Sequence, residues 1–172
     1  GKGGAAAIET VVYEGYGPQK VALIVVAATD NKNRTTPEVR STIEKSGGTF
    51  ATPGAVDWAF ADMGLITIEK GAKSLDELFE LAADAGAEDI DDAGDMVEVY
   101  TKPADVESVK HALVEKGLIV VSFEIIKKPT TLVEIKDAET AKKVLALIEK
   151  IEDLDDVQKV YSNFDIPDNL LN

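Results

Sequence analysis

The sequence predicts an α+β protein made of two ferredoxin-like α/β sandwich domains, the second inserted into the first. Three observations lead there. Apolar runs of strand length alternate with amphipathic segments that open on helix caps. Residues 63–128 read in the order strand, helix, strand, strand, helix, strand, which is a complete split βαβ unit. After residue 128 only half of such a unit follows, and the opening segment supplies the other half. The expected division is a discontinuous domain over 1–62 plus 129–172 and an inserted domain over 63–128.

The elements follow in order. Ile8 to Tyr13 and Val21 to Ala28 are β-branched apolar runs separated by Gly15-Tyr16-Gly17-Pro18, a strand–turn–strand signal. Thr35-Thr36-Pro37-Glu38 predicts a helix with a Thr cap and Pro37 in its first turn, burying Val39 and Ile43 and stopping at Gly47-Gly48. Val56, Trp58 and Phe60 alternate with Ala55, Asp57 and Ala59, the period of a strand with one buried face. In the inserted segment, a strand over 65–69 precedes a helix opened by the capping box Ser74-x-x-Glu77, with Leu75, Leu78, Phe79 and Ala82 at helical spacing and Gly86 as its stop. A short strand near 88–91, a turn at Asp92-Ala93-Gly94 and a strand over 96–100 come next. A helix over 103–116 buries Val106, Val109 and Leu113, and a strand over 118–126 closes the unit. The last part reads as a strand over 131–135, a helix capped by Asp137 with Ala141, Val144, Leu145 and Ile148 on one face, and a strand over 157–161.

With 45% hydrophobic residues the chain has the material for packed cores, and its longest apolar run, Val21 to Ala28, has strand length and is too short to span a membrane. A cytoplasmic location and no membrane partner are the expectation. The first seven residues match neither a secretory signal nor a transit peptide, and without an initiator Met the chain is expected to begin inside a longer protein. Cysteine is absent, so disulfides and thiol chemistry are excluded. The net charge of −14 is unevenly spread: residues 1–50 carry six basic against five acidic groups, and the remainder twelve against 27. Acidic helices as solvated faces explain most of this. Anion-seeking chemistry belongs near residues 20–40.

The motifs of catalysis and metal binding fail one by one, so no catalytic residue, metal or cofactor is expected. His111 is the only histidine, set between Glu107 and Glu115 and opposite the apolar face of its helix, as a solvated residue would be. Asp89-x-Asp91-x-Ala93-Gly94 begins like a calcium loop, but its twelfth position is Tyr100. Lys73-Ser74 lacks the glycine a phosphate loop requires, and no serine occupies a nucleophile elbow. What remains is Thr29-Asp30-Asn31-Lys32-Asn33-Arg34-Thr35, between a buried strand and a helix start, with Arg40 in the following turns. Amide and cationic donors gather there at the positive end of a helix dipole, which suits an anion. The same residues also make an ordinary polar turn in which Asp30 pairs with Arg34.

These segments carry a resemblance. Tyr13-Glu14-Gly15-Tyr16-Gly17-Pro18, the 29–35 loop, Glu38-Val39-Arg40, Gly47-Gly48, Ala85-Gly86-Ala87-Glu88-Asp89 and Asp156-Val157-Gln158-Lys159-Val160-Tyr161-Ser162-Asn163 resemble the YebC/PmpR family of gene-expression regulators in order and spacing. Gln19-Lys20 departs from the two glycines many members have, which makes the hairpin tip stiffer and more basic. Members also begin with a basic helical domain, of which Gly1 to Gly4 would be a remnant. The resemblance implies a non-enzymatic regulator with DNA as partner in transcription, or the ribosome and its RNA in translation. It would bind mainly through the missing N-terminal domain, with Lys20, Asn31, Lys32, Asn33, Arg34 and Arg40 as contacts here. A small-molecule sensor built on ferredoxin-like domains and a purely structural assembly module stay open.

Overall fold

The structure, a computed structural model, describes residues 7–171 and divides into two compact units, 1–61 with 129–172 and 62–128. The expected remnant Gly1 to Gly4 lies outside the described residues.

In the first unit, β1 (Glu9–Tyr16) and β2 (Ala22–Thr29) form an antiparallel hairpin with Glu9 opposite Thr29 and Tyr16 opposite Ala22. β3 (Thr49–Ala51) adds to β1, and β9 (Val157–Ser162) adds to β2, both antiparallel, giving the sheet order β3-β1-β2-β9. The central position of β2 accounts for its unbroken apolar sequence, because both of its faces are covered. Leu23, Val25 and Ala27 meet Ile43 of α1 (Lys32–Lys45) and Val144 and Leu147 of α4 (Ala138–Glu152). On the other face Ala22 and Ile24 pack with Val56, Ala59 and Phe60.

Several expectations are corrected here. The cap of α1 is Asn31, whose side chain accepts from the Asn33 N–H at 3.1 Å, so the helix starts a turn before the Thr pair and Pro37 falls inside it. Pro37 there forgoes a bond only to the carbonyl of Asn33, an exposed residue of the first turn. Residues 55–59 are no strand, and extended structure begins only at Phe60. A single 3-10 turn, Asp57–Ala59, buries Val56 and Ala59 and leaves Trp58 59% exposed. The cause is Glu14, a buried carboxylate on β1 that accepts the N–H groups of Gly54 (2.5 Å) and Val56 (2.9 Å) and folds the segment over the sheet. The strand before α4 is short, β8 (Val133–Glu134), and it pairs in parallel with β10 (Phe164–Asp165), leaving β9 to the larger sheet. Asn163 makes that switch: its side chain accepts from Ala22 N–H (2.7 Å) and donates to the Thr131 carbonyl (2.9 Å). The buried stripe of α4 is also rotated from expectation, to Ala141, Val144, Leu147 and Ile151, with Leu145 exposed and Ile148 half-buried.

In the second unit, β4 (Phe60–Glu69), α2 (Leu75–Asp84), β5 (Asp89–Ala93), β6 (Met96–Thr101), α3 (Val106–Glu115) and β7 (Val120–Pro129) occur in that order. The sheet order is β5-β6-β4-β7, so the first and third strands of the unit are central. Ser74 caps α2 by accepting from Glu77 N–H at 3.2 Å. Ile66, Ile68, Val97 and Val99 meet Leu78, Ala82, Val109 and Leu113 of the two helices. Leu75 and Phe79 are exposed, so the apolar stripe of α2 is narrower than its sequence suggests.

Candidate functional site

The corner between β2 and α1 is closed by hydrogen bonds. Thr29 Oγ1 accepts from Asn31 N–H at 2.9 Å. The Thr35 hydroxyl donates to Asp156 Oδ2 at 2.6 Å, and the Arg34 guanidinium donates to the same oxygen at 2.9 Å and to Asp30 at 3.2 Å. The Thr35 hydroxyl and then the Arg34 guanidinium hold the Asp156 carboxyl below the usual carboxylate range, and Asp156 in turn raises Arg34. The anion seated at this helix N-terminus is therefore the chain's own Asp156. Lys32 pairs with Glu9 at 3.8 Å, while Arg40 pairs with Glu44 at 3.2 Å and lies over the Phe50 ring.

Asn31, Lys32, Asn33 and Arg34 thus come together, with Arg40 farther along α1, but Lys20 does not join them. It precedes β2 and they follow it, and eight strand residues separate the two ends by roughly 25 Å. Lys20 lies in the hairpin tip, where Gln19 (φ 57°) and Lys20 (φ 60°) are both left-handed, a conformation rare for residues with a Cβ. The tip is closed by Gly17 N–H donating to the Val21 carbonyl at 2.8 Å.

Two adjoining grooves meet at this end of the unit, sharing Pro18 and Gly47. One, of about 690 Å³, is bordered by Tyr16, Gln19, Lys20, Thr49 and Trp58. The other, of about 420 Å³, is bordered by Lys45 at the end of α1 and by Lys143, Leu147 and Lys150 on one face of α4. Among the described residues no carboxylate lines either groove, and none of the four lysines is in a salt bridge. Lys143 does act at a distance on Asp137, whose carboxyl is lowered first by hydrogen bonds from Thr140. Sequence reasoning found Lys20 alone of this set. Lys143 and Lys150 stand among Glu139, Glu149 and Glu152, so local charge balance hides them; their spacing of seven residues, two helical turns, is the one signal of a shared face.

His111 is exposed on α3, and no group of three or more His, Asp or Glu is arranged to hold a metal among the described residues. Among the described residues no helix is long and apolar enough to cross a membrane. The family model described as the TACO1/YebC second and third domain matches residues 8–164. The chain belongs to the TACO1/YebC family. Its relatives include a probable transcriptional regulatory protein of Sulfurihydrogenibium sp., 48% identical over 95% of this chain and 65% of the relative, and another of Dictyoglomus thermophilum, 49% identical over 96% and 66%. The chain spans about two thirds of the length of these curated relatives. A conserved hypothetical protein of Aquifex aeolicus has a crystal structure similar to this one, with a TM-score of 0.90 and 41% identity, covering 98% of this chain and 70% of that one. The backbone described here is the TACO1/YebC fold of the second and third domains.

Proposed function

We propose that the chain is a non-enzymatic regulator of gene expression that binds a phosphate-rich partner, DNA or the RNA of the ribosome. The observation that carries this reading is the cationic groove of Lys20, Lys45, Lys143 and Lys150, kept clear of carboxylates in a chain of net charge −14. Lysines gathered against so strong an acidic background concentrate positive potential where phosphates release counterions on binding. The relatives' description as probable transcriptional regulatory proteins supports the same reading. Both units are ferredoxin-like sandwiches in this proposal; read from the β7 edge, the strand order of residues 62–128 is fourth-first-third-second, that of a split βαβ sheet with its first and third strands central, which supports it for that unit. Asn31, Lys32, Asn33, Arg34 and Arg40 form a second contact, at which a phosphate has to compete with Asp156 and Glu44 for the two guanidinium groups.

Titration of the chain with DNA, RNA and ribosomes across a salt series tests this. Affinity is expected to fall with salt by about 0.7–0.9 log units per log unit for each phosphate contacted. The triple change Lys45→Ala, Lys143→Ala, Lys150→Ala is expected to weaken binding and flatten that slope, more than Arg34→Ala with Arg40→Ala. Absence of salt-dependent binding to all three partners would overturn the reading.

A further inference from the structure

We propose that the double groove takes a single strand of nucleic acid, one base stacked on the face of Trp58 and the phosphates following Lys20, Lys45, Lys143 and Lys150. This rests on the function proposed above and specifies the state of the strand. An exposed tryptophan by itself means little. Trp58 differs because it borders the same groove as Lys20 and Tyr16, and because its backbone is held from several sides.

Glu14 takes the N–H groups of Gly54 and Val56. Ala59 N–H donates to the Val56 carbonyl at 3.0 Å, Thr130 N–H donates to the Ala59 carbonyl at 2.9 Å, and the Thr130 hydroxyl donates to the Trp58 carbonyl at 3.3 Å. The Tyr16 hydroxyl donates to the Ala55 carbonyl at 3.2 Å, which fixes the second ring. Val56, Ala59 and Phe60 are buried, so the 3-10 turn is anchored from below while the indole stays in solvent. A backbone held in place before a ligand arrives loses no freedom when a base stacks on the ring it carries.

The cations continue from the rings as a track. Lys143 and Lys150 are about 10 Å apart along α4, Lys45 closes the side from α1, and Lys20 sits beside the aromatic end. A duplex base has both faces covered by its neighbours, and only an unstacked base can offer one to an indole. A cationic groove joined to aromatic rings is the arrangement that holds single strands with little sequence preference.

Trp58 is the chain's only tryptophan, so its fluorescence reports on the groove directly. Oligo-dT and oligo-U are expected to quench it, and a hairpin duplex or an abasic strand of equal phosphate number is not; any preference between the two oligomers reads the 2′-hydroxyl. By anisotropy of a labelled oligomer, Trp58→Ala is expected to weaken binding about tenfold, the effect of removing one stacked base, with Trp58→Phe retaining most of the affinity. Lys143→Ala with Lys150→Ala is expected to reduce the salt slope by about 0.7 for each phosphate that no longer meets a lysine. Three results overturn the proposal: no quenching by either oligomer, equal quenching by abasic strands, or equal quenching by polyglutamate. If duplex DNA still binds in a salt-dependent way, the proposed function survives that failure. If no nucleic acid or ribosome binds, both fall.

Discussion

Asp156 closes the start of α1, accepting from the Thr35 hydroxyl and the Arg34 guanidinium through one carboxylate oxygen. Asn31, Arg34 and the helix start form a corner that attracts an anion, and that chemistry is legible in seven consecutive residues. The anion is not, because it comes from 122 positions away, and nothing in a local pattern announces such a partner. The arrangement has a consequence for stability. Because the folded Asp156 carboxyl lies below its ordinary value near 3.9, its contribution is present above that pH and is lost as pH falls through the folded value. Asp156→Asn is expected to lower the melting temperature at neutral pH and to show a shallower loss of stability on acidification than the parent, measured by thermal melts across the acid range. A parent and variant whose melting temperatures stay a constant distance apart down to the acid limit would show that the carboxyl is not held as described. At the hairpin tip the expected change has the opposite sign. Gln19→Gly removes a left-handed residue that carries a Cβ, a conformation costing about 1 kcal/mol, so the variant is expected to melt higher; a lower melt would mean the Gln19 side chain contributes more than the backbone strain.

At the scale of elements, caps and glycine stops are readable because each depends on a few adjacent residues: Ser74 and Asp137 cap the helices that follow them, as their sequence positions predict. Gly48 is similarly constrained, since a side chain there would run into the Tyr16 carbonyl. Errors arise where two periods fit the same apolar residues. Val56 and Phe60 suit a strand, yet Val56 with Ala59 also suits a 3-10 turn, and buried Glu14 on β1 decides between them. The exchange of partners between β9 and β10 is hidden for a related reason, since Asn163 reads as a polar residue ending a strand. Its side chain is fully buried and closes the start of β2. Asn163→Ala is expected to cost about 1–3 kcal/mol, the effect of leaving the buried Ala22 N–H without a partner, as read by denaturant unfolding. A loss under half of that would mean that water reaches Ala22 in its place.

For the molecule as a whole, the charge distribution along the sequence points to the first fifty residues, whereas the groove draws two of its four lysines from the acidic C-terminal part. Net charge summed along a segment misses what folding brings together. Division into units depends less on such long-range detail, and its physical basis lies in the two chain crossings. On the outer side, Thr130 N–H donates to the Ala59 carbonyl at 2.9 Å; on the inner side, the Lys127 ammonium meets the Asp62 carboxylate at 2.7 Å. Chain entering and chain leaving are therefore neighbours, as an insertion requires. We propose that residues 62–128 are an inserted domain that folds alone, around Ile66, Ile68, Leu78, Val97, Val99 and Leu113. At this size its stability is expected to be marginal. Expressed by itself, the segment should melt cooperatively with dispersed amide resonances, and the outer unit, rejoined by a short glycine linker from Ala61 to Pro129, should do the same. Collapsed dispersion and a non-cooperative melt in the inner segment, with the intact chain melting in one sharp step, would mean that its core forms only in the company of the outer unit.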